Sequence, residues 1–280
     1  LDRYIEEIRG GRTQMERWDS YVALGDSFTE GLADAVPNGG FRGWADRLAE
    51  HLAGTNPDLR YANLAVRGKL IRQIVTHQVP RAVELRPALV SIAAGGNDII
   101  RPGSDPDLVA ELFDAAIGRL RATGADVLIG TGFDTRDTPI LRRVRGKVGT
   151  YNSHLRAIAD RHGCYVLDLW SMDVLRDPRA WSEDRLHLSA EGHRRVALRA
   201  CEALGVEVAE SWREPWPAQP AQPWHVQRAE DIRWAREHLA PWIGRRLRGR
   251  SSGDGRLPKR PELGRLSEDQ VRTAGQLTQS

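Results

Sequence analysis

The sequence predicts an α/β protein, a flavodoxin-like three-layer α/β/α sandwich around a five-stranded parallel sheet. Three observations predict it. Short apolar runs alternate with amphipathic stretches over the first 205 residues, the pattern of parallel strands joined by crossover helices. Polar, glycine-containing loops follow the first three runs, at the carboxyl strand ends where open α/β sheets place ligands. The chain is 280 residues long, enough to bury a full core without disulfide or metal staples.

Each element follows from local pattern. Tyr21-Val22-Ala23-Leu24, ending at Gly25, is a short apolar run and reads as a buried strand. After a loop rich in Gly, Pro and Asn (37–43), Trp44, Leu48 and Leu52 recur at helical spacing. A second strand is expected over 61–65 and a helical stretch over 71–85, the latter containing Pro80. Residues 88–94 form the clearest strand and lead into Gly95-Gly96. Leu108, Leu112, Ala115, Ala116 and Leu120 mark an amphipathic helix. Strand four is expected over 126–130, a helix over 144–161, strand five over 165–169, and a last core helix over 190–204.

After Gly205 the texture changes. Five of the nine tryptophans (Trp212, Trp216, Trp224, Trp234 and Trp242) fall among several prolines. Ile232, Leu239 and Trp242 are spaced for an amphipathic helix starting near Arg228. From Arg245 the chain is basic and rich in Gly and Ser, a composition expected to be disordered. The expected organisation is an N-terminal segment (1–18), a catalytic-type domain (19–205), a Trp/Pro-rich extension with a helix (206–244) and a basic tail (245–280). Leu1 is not an initiator, and residues 1–14 read as an expression remnant, a processed end or native sequence. They contain no apolar secretory core, so cytoplasmic residence is the expectation.

Charge narrows the function classes. The net charge is +3 with a pI near 9.1. Residues 210–280 hold 13 Lys+Arg and 9 Asp+Glu, whereas the preceding 209 residues hold 28 and 29. The basic balance thus belongs to the tail, and a nucleic-acid enzyme is expected to carry it on the folded domain. No run approaches the length of a membrane span. Cys164 and Cys201 make neither a disulfide framework nor a zinc site, and no His/Cys/carboxylate cluster implies a metal or other cofactor.

Four segments carry candidate chemistry: Gly25-Asp26-Ser27-Phe28-Thr29-Glu30-Gly31, Asn63 to Gly68, Gly95-Gly96-Asn97-Asp98, and Asp184-Arg185-Leu186-His187. Taken singly, each also reads as turn chemistry or a helix entry. Taken together they supply what acyl transfer requires. A serine hydroxyl needs a base to take its proton, and His187 is the candidate, with Asp184 three residues away to hold the other ring nitrogen. The backbone N–H groups of Ser27 and Gly68 and the amide of Asn97 are candidate donors to an oxyanion. Thr29, Glu30 and Trp181 are candidate pocket residues, with Arg67 alongside, although packing and solvation explain each of them as well. His51, His77, His154, His162 and His193 read as residues at helix surfaces or ends.

In these four blocks the chain resembles the SGNH hydrolases, a subclass of the GDSL esterases and lipases, over about residues 19–205. The C-terminal segment is similar to extensions on bacterial, particularly actinobacterial, members. The resemblance implies Ser27 as nucleophile, Asp184 and His187 as the rest of a triad, and Ser27, Gly68 and Asn97 as the oxyanion hole. It implies cofactor-free hydrolysis of small or lipid-like esters, with acetylated sugars among them. Transfer of the acyl group to an alcohol, and a non-catalytic surface protein whose Trp/Arg-rich tail rests on a membrane, are the alternatives. A small-molecule ester is the expected partner, and nucleic acid is not.

Overall fold

The computed structural model describes residues 18–37, 39–138, 141–218, 228, 231–239, 241 and 252–267. In chain order the elements are β1 (Ser20–Gly25), α1 (Ser27–Glu30), α2 (Trp44–Thr55), β2 (Arg60–Asn63), α3 (Ile71–Gln73), α4 (Val79–Leu85), β3 (Leu89–Ala93) and α5 (Gly96–Ile99). They continue with α6 (Pro106–Arg121), β4 (Asp126–Gly130), α7 (Arg145–His162), β5 (Tyr165–Leu167), α8 (Ala190–Leu204) and β6 (Arg260–Arg265).

The sheet order is β5-β4-β3-β1-β2-β6. The strands β1 to β5 pair in parallel and β6 runs antiparallel against β2. Side chains alternate across the sheet. Tyr21, Ala23, Leu89 and Leu128 pack with α2 and α8 on one face. Val22, Leu24, Val90, Ile92, Val127 and Ile129 pack with α3, α4, α6 and α7 on the other. Both faces are thus dry, which is why the strands read as continuous apolar runs.

Two expectations need correction. Among the described residues the sheet has six strands and is mixed, not five and parallel. The sixth comes from residues 260–265, inside the segment expected to be disordered. The expected helix near 228–240 is helical over the described residues 231–239, but Ile232, placed on its apolar face by spacing, is 56% exposed. Trp224, Trp242, residues 1–17 and most of the basic tail lie outside the described residues.

The stretch 71–85 is helical but not regular. A π-helical turn, Ile74–Gln78, separates α3 from α4. Pro80 sits in the first turn of α4 and has no N–H to donate, so the preceding turn opens by one residue. The opening aims the Gln78 side chain at the end of β1. Its Oε1 accepts from Gly25 N at 2.9 Å, and its Nε2 donates to Gly25 O at 2.9 Å. Gly25 has φ 151°, and a Cβ there would stand 2.5 Å from the Ala93 carbonyl. Only glycine can hand the chain from β1 to the turn that follows.

Candidate active site

Asp26 caps α1, its side chain accepting from Phe28 N at 3.1 Å. Ser27 thereby stands at the first position of a short helix directly beyond β1. At the opposite rim, Asp184-Arg185-Leu186-His187 forms the tip of a loop closed by the Trp181–Leu188 bridge and by Ser182 N donating to His187 O at 2.8 Å. Arg185 takes a left-handed conformation, φ 55°, which lets this turn fold tightly.

The loops bring three side chains together across 160 residues. His187 Nε2 lies 3.0 Å from Ser27 Oγ, and His187 Nδ1 lies 2.6 Å from Asp184 Oδ2. Asp184 Oδ1 accepts from Leu186 N and His187 N, both at 2.9 Å, and from Ser182 Oγ at 2.7 Å. Burial pushes the Asp184 carboxyl up, but the hydrogen bond and charge of His187 and the two backbone N–H groups outweigh it. The group is held well below the usual carboxylate range. It stays ionised, so the Nδ1 proton is pinned toward Asp184 and Nε2 is left to accept from Ser27.

Asn97 stands in α5, with Nδ2 donating to Asp26 Oδ2 at 2.9 Å and to Lys69 O at 3.2 Å. Gly68 occupies a turn with φ 71°. Asp98, also in α5, ties that helix to the start of α3, accepting from Ile71 N at 2.9 Å. Asp26 is buried, and its pKa is pushed up to about 6 by burial against the opposing pull of Phe28 N–H, His187 and Asn97.

A cavity of about 190 Å³ opens beside Ser27 and His187. Its wall is mainly apolar, with Ile99, Ile100, Phe133, Leu141, Val148 and Leu169 among the contributors. Tyr151 lends its ring, its hydroxyl being spent on Ala94 O at 3.2 Å. The loop after β4 is braced by Asn152, which accepts from Gly132 N at 2.7 Å and donates to Gly132 O at 2.8 Å.

The expected pocket residues lie elsewhere. Thr29, within α1, is fully buried. Glu30 is 8% exposed and grips Arg67, accepting from Arg67 N at 2.7 Å and forming an ion pair with the guanidinium. Together they fasten the loop that carries Gly68, and neither faces the cavity. Trp181 lies behind the wall, its ring centroid 4.4 Å from that of Phe133 and its Nε1 donating to Leu175 O. His193, expected at a helix surface or end, is buried, with Nδ1 accepting from Trp44 N at 3.2 Å. Burial lowers its pKa to about 3, which keeps it neutral. The cavity wall was missed because its apolar residues carry no motif and converge from several separate elements. One signal was present: Gly130-Thr131-Gly132-Phe133 follows β4 in the same manner that the recognised loops follow β1 and β3.

A three-layer α/β/α fold with a Ser–His–Asp constellation beyond the carboxyl ends of its strands is the arrangement of a serine ester hydrolase. Residues 23–195 match the model of the GDSL-like Lipase/Acylhydrolase family, and the chain belongs to that family. Solved structures share the fold at low identity. They include an α/β hydrolase enzyme, LAE5, from the metagenome of Lake Arreo in Spain, with 22% identity, TM-score 0.58, and coverage of 67% of this chain and 95% of that one. TesA has 22% identity, TM-score 0.56, and coverage of 66% and 97%. Axe2, an acetyl xylan esterase from Geobacillus stearothermophilus in a substituted form, has 19% identity, TM-score 0.59, and coverage of 71% and 100%. No curated protein matches the sequence significantly. Among the described residues no helix is long and apolar enough to cross a membrane.

Proposed function

We propose that the enzyme hydrolyses esters of medium-length or compact aromatic acids, with Ser27 as nucleophile, His187 as general base and acid, and Asp184 as its orienting partner. The observation that carries this reading is the apolar cavity beside a serine hydroxyl 3.0 Å from an imidazole nitrogen. Ser27 Oγ bonds to the ester carbonyl carbon while its proton passes to His187 Nε2, and the carbonyl pair moves onto oxygen. Asp184 stabilises the imidazolium formed at that moment.

Ser27 N–H and Gly68 N–H are the backbone donors in this scheme. Asn97 joins them by exchanging its longer bond, the 3.2 Å contact with Lys69 O, for the oxyanion, since such contacts tighten only once substrate is present. Collapse of the intermediate breaks the bond to the alcohol oxygen, which leaves with the proton from His187. Water then gives a proton to His187 and its oxygen to the acyl carbon. The acid departs, and Ser27 recovers the proton.

The wall sets the acyl preference. An apolar cavity of roughly 150 Å³ holds a benzene ring, so about 190 Å³ suits an acyl group of about six carbons. Acetyl would leave most of that apolar surface uncovered, and palmitoyl would overrun it. The small alcohol portion, a sugar included, faces the open rim in this reading. The test is kcat/KM on 4-nitrophenyl esters from acetate to palmitate, with Ser27→Ala as the blank. We expect a maximum between about four and eight carbons, each buried methylene adding about 0.8 kcal/mol until the cavity is full. A steady fall from acetate onward would sink the acyl assignment, and wild-type turnover by Ser27→Ala would sink the triad.

A further inference from the structure

The described part of the C-terminal extension, which lies beyond the family-matched residues 23–195, touches the catalytic loop at its tip. Trp234 Nε1 donates to the Asp184 carbonyl at 2.9 Å. Arg185, the next residue, lays its guanidinium 5.1 Å from the centroid of the Trp234 ring and pairs with Asp231 at 2.6 Å. One helical turn, 231–234, therefore grips both the Asp184 backbone and the Arg185 side chain.

The contact falls at the left-handed corner of the loop. Arg185 is left-handed at φ 55°, a conformation that a residue with a Cβ keeps only when its surroundings hold it. The Asp184 carboxylate accepts from Ser182, Leu186 and His187, bonds that fold the turn without engaging the carbonyl of its own backbone. The carbonyl of that backbone is what the indole takes. The Arg185–Asp231 pair is exposed and contributes little by charge alone. Its use is to keep the guanidinium flat over the indole, where the cation–π contact adds to the hydrogen bond.

We propose that Trp234 is a positioning residue for the catalytic acid–base pair, acting through the Asp184 carbonyl and Arg185. It never reaches the substrate. It fixes the Asp184 carboxylate relative to His187, and through His187 the distance to Ser27 Oγ. The idea rests on the triad reading given above.

Full-length Trp234→Ala, Trp234→Phe and Asp231→Asn test it against the preferred ester. Trp234→Ala is expected to lower kcat by about tenfold with little change in KM, because a small misplacement of a catalytic group costs rate more than binding. Trp234→Phe keeps a ring for Arg185 and loses only the N–H, so it should fall by about three- to fivefold. Asp231→Asn should remain within about twofold of wild type. A looser Asp184–His187 pair stabilises imidazolium less, so the acid limb of the kcat/KM profile should move to lower pH in both Trp234 variants. Phosphonylation of Ser27 by a fluorophosphonate should slow in parallel.

Ile232→Ala, on the exposed side of the same turn, should behave as wild type. A loss there equal to that of Trp234→Ala would overturn the proposal, since it would assign the effect to the helix at large. Wild-type kcat and an unmoved acid limb in folded Trp234→Phe and Trp234→Ala would overturn it directly. If Trp234→Ala does not fold, Trp234→Phe decides by the same readouts. Ser27→Ala keeps the two readings apart: turnover retained there removes the triad itself, whereas a dead Ser27→Ala beside fully active Trp234 variants removes only the positioning role.

Discussion

Asp26 is 7% exposed and lies between Ser27 and Asn97, so its proton matters to fold and site at once. Its pKa in the folded chain is raised from 3.8 to about 6, chiefly by burial. Between those values an unfolded chain has released the proton while the folded chain still holds it. Stability therefore falls as pH rises through that window, by on the order of 2–3 kcal/mol, and is level above it. Asp26→Asn removes the titration. Urea midpoints should show the variant gaining on wild type between about pH 4 and about pH 7 by that amount. An unchanged gap across the window would show that another group titrates there. The sequence put Asp26 in the right turn but read it only as a turn former. Its link to Asn97 spans 71 residues, and no local pattern encodes such a pairing.

Among elements, the opened helical turn between α3 and α4 is the least orthodox. It delivers Gln78, itself buried, to both polar backbone groups of Gly25. Gly25 O also receives Val66 N at 3.3 Å, so the carbonyl keeps a partner if Gln78 is lost, while the N–H loses its side-chain acceptor. Gln78→Ala should thus cost about 1–3 kcal/mol. It should also lower kcat, because Gly25 leads directly into Asp26 and Ser27. Chemical denaturation and turnover on one preparation would check both. A variant as stable as wild type would mean that water replaces the amide without loss.

Helices and strands over 20–204 were largely legible, because apolar spacing reports which faces are dry. The π turn was not. Pro80 announced a disturbance, but whether a proline ends, kinks or widens a helix depends on what its neighbours can reach. The residues that meet as Ser27, His187 and Asp184 were legible through motif, and the cavity beside them was not, since apolar wall residues look like any other core.

At the scale of the whole molecule, β6 extends the sheet beyond β2 and fastens the first block from outside. Lys259, the residue before it, donates to Glu30 O at 2.6 Å and Phe41 O at 2.9 Å, and pairs with Asp46 at 2.5 Å. Gly253 packs so closely on Arg67 that a Cβ would stand 1.9 Å from its carbonyl oxygen. Lys259→Ala should lower stability by about 1.5–3 kcal/mol, the range for hydrogen bonds to charged groups. Hydrogen exchange at 260–265 should quicken more than exchange at β1 or β3. Equal acceleration across the sheet would argue against β6 opening as a separate unit. The strand was hidden from sequence reasoning for a physical reason. Arg260-Pro261-Glu262-Leu263-Gly264-Arg265 carries proline, glycine and charge, all hostile to an interior strand and all at home on an edge.

That placement bears on how the chain is made. Arg60 pairs with Arg265, so β2 leaves the ribosome about 200 residues before the strand that covers it, or roughly 10–40 s earlier at ordinary rates of synthesis. Throughout that interval the nascent chain displays an unpaired β2 edge, the surface on which neighbouring chains on one message can dock. The late arrival of β6 therefore acts as a closing signal. Until it arrives, a chaperone or a neighbouring nascent chain competes for the edge.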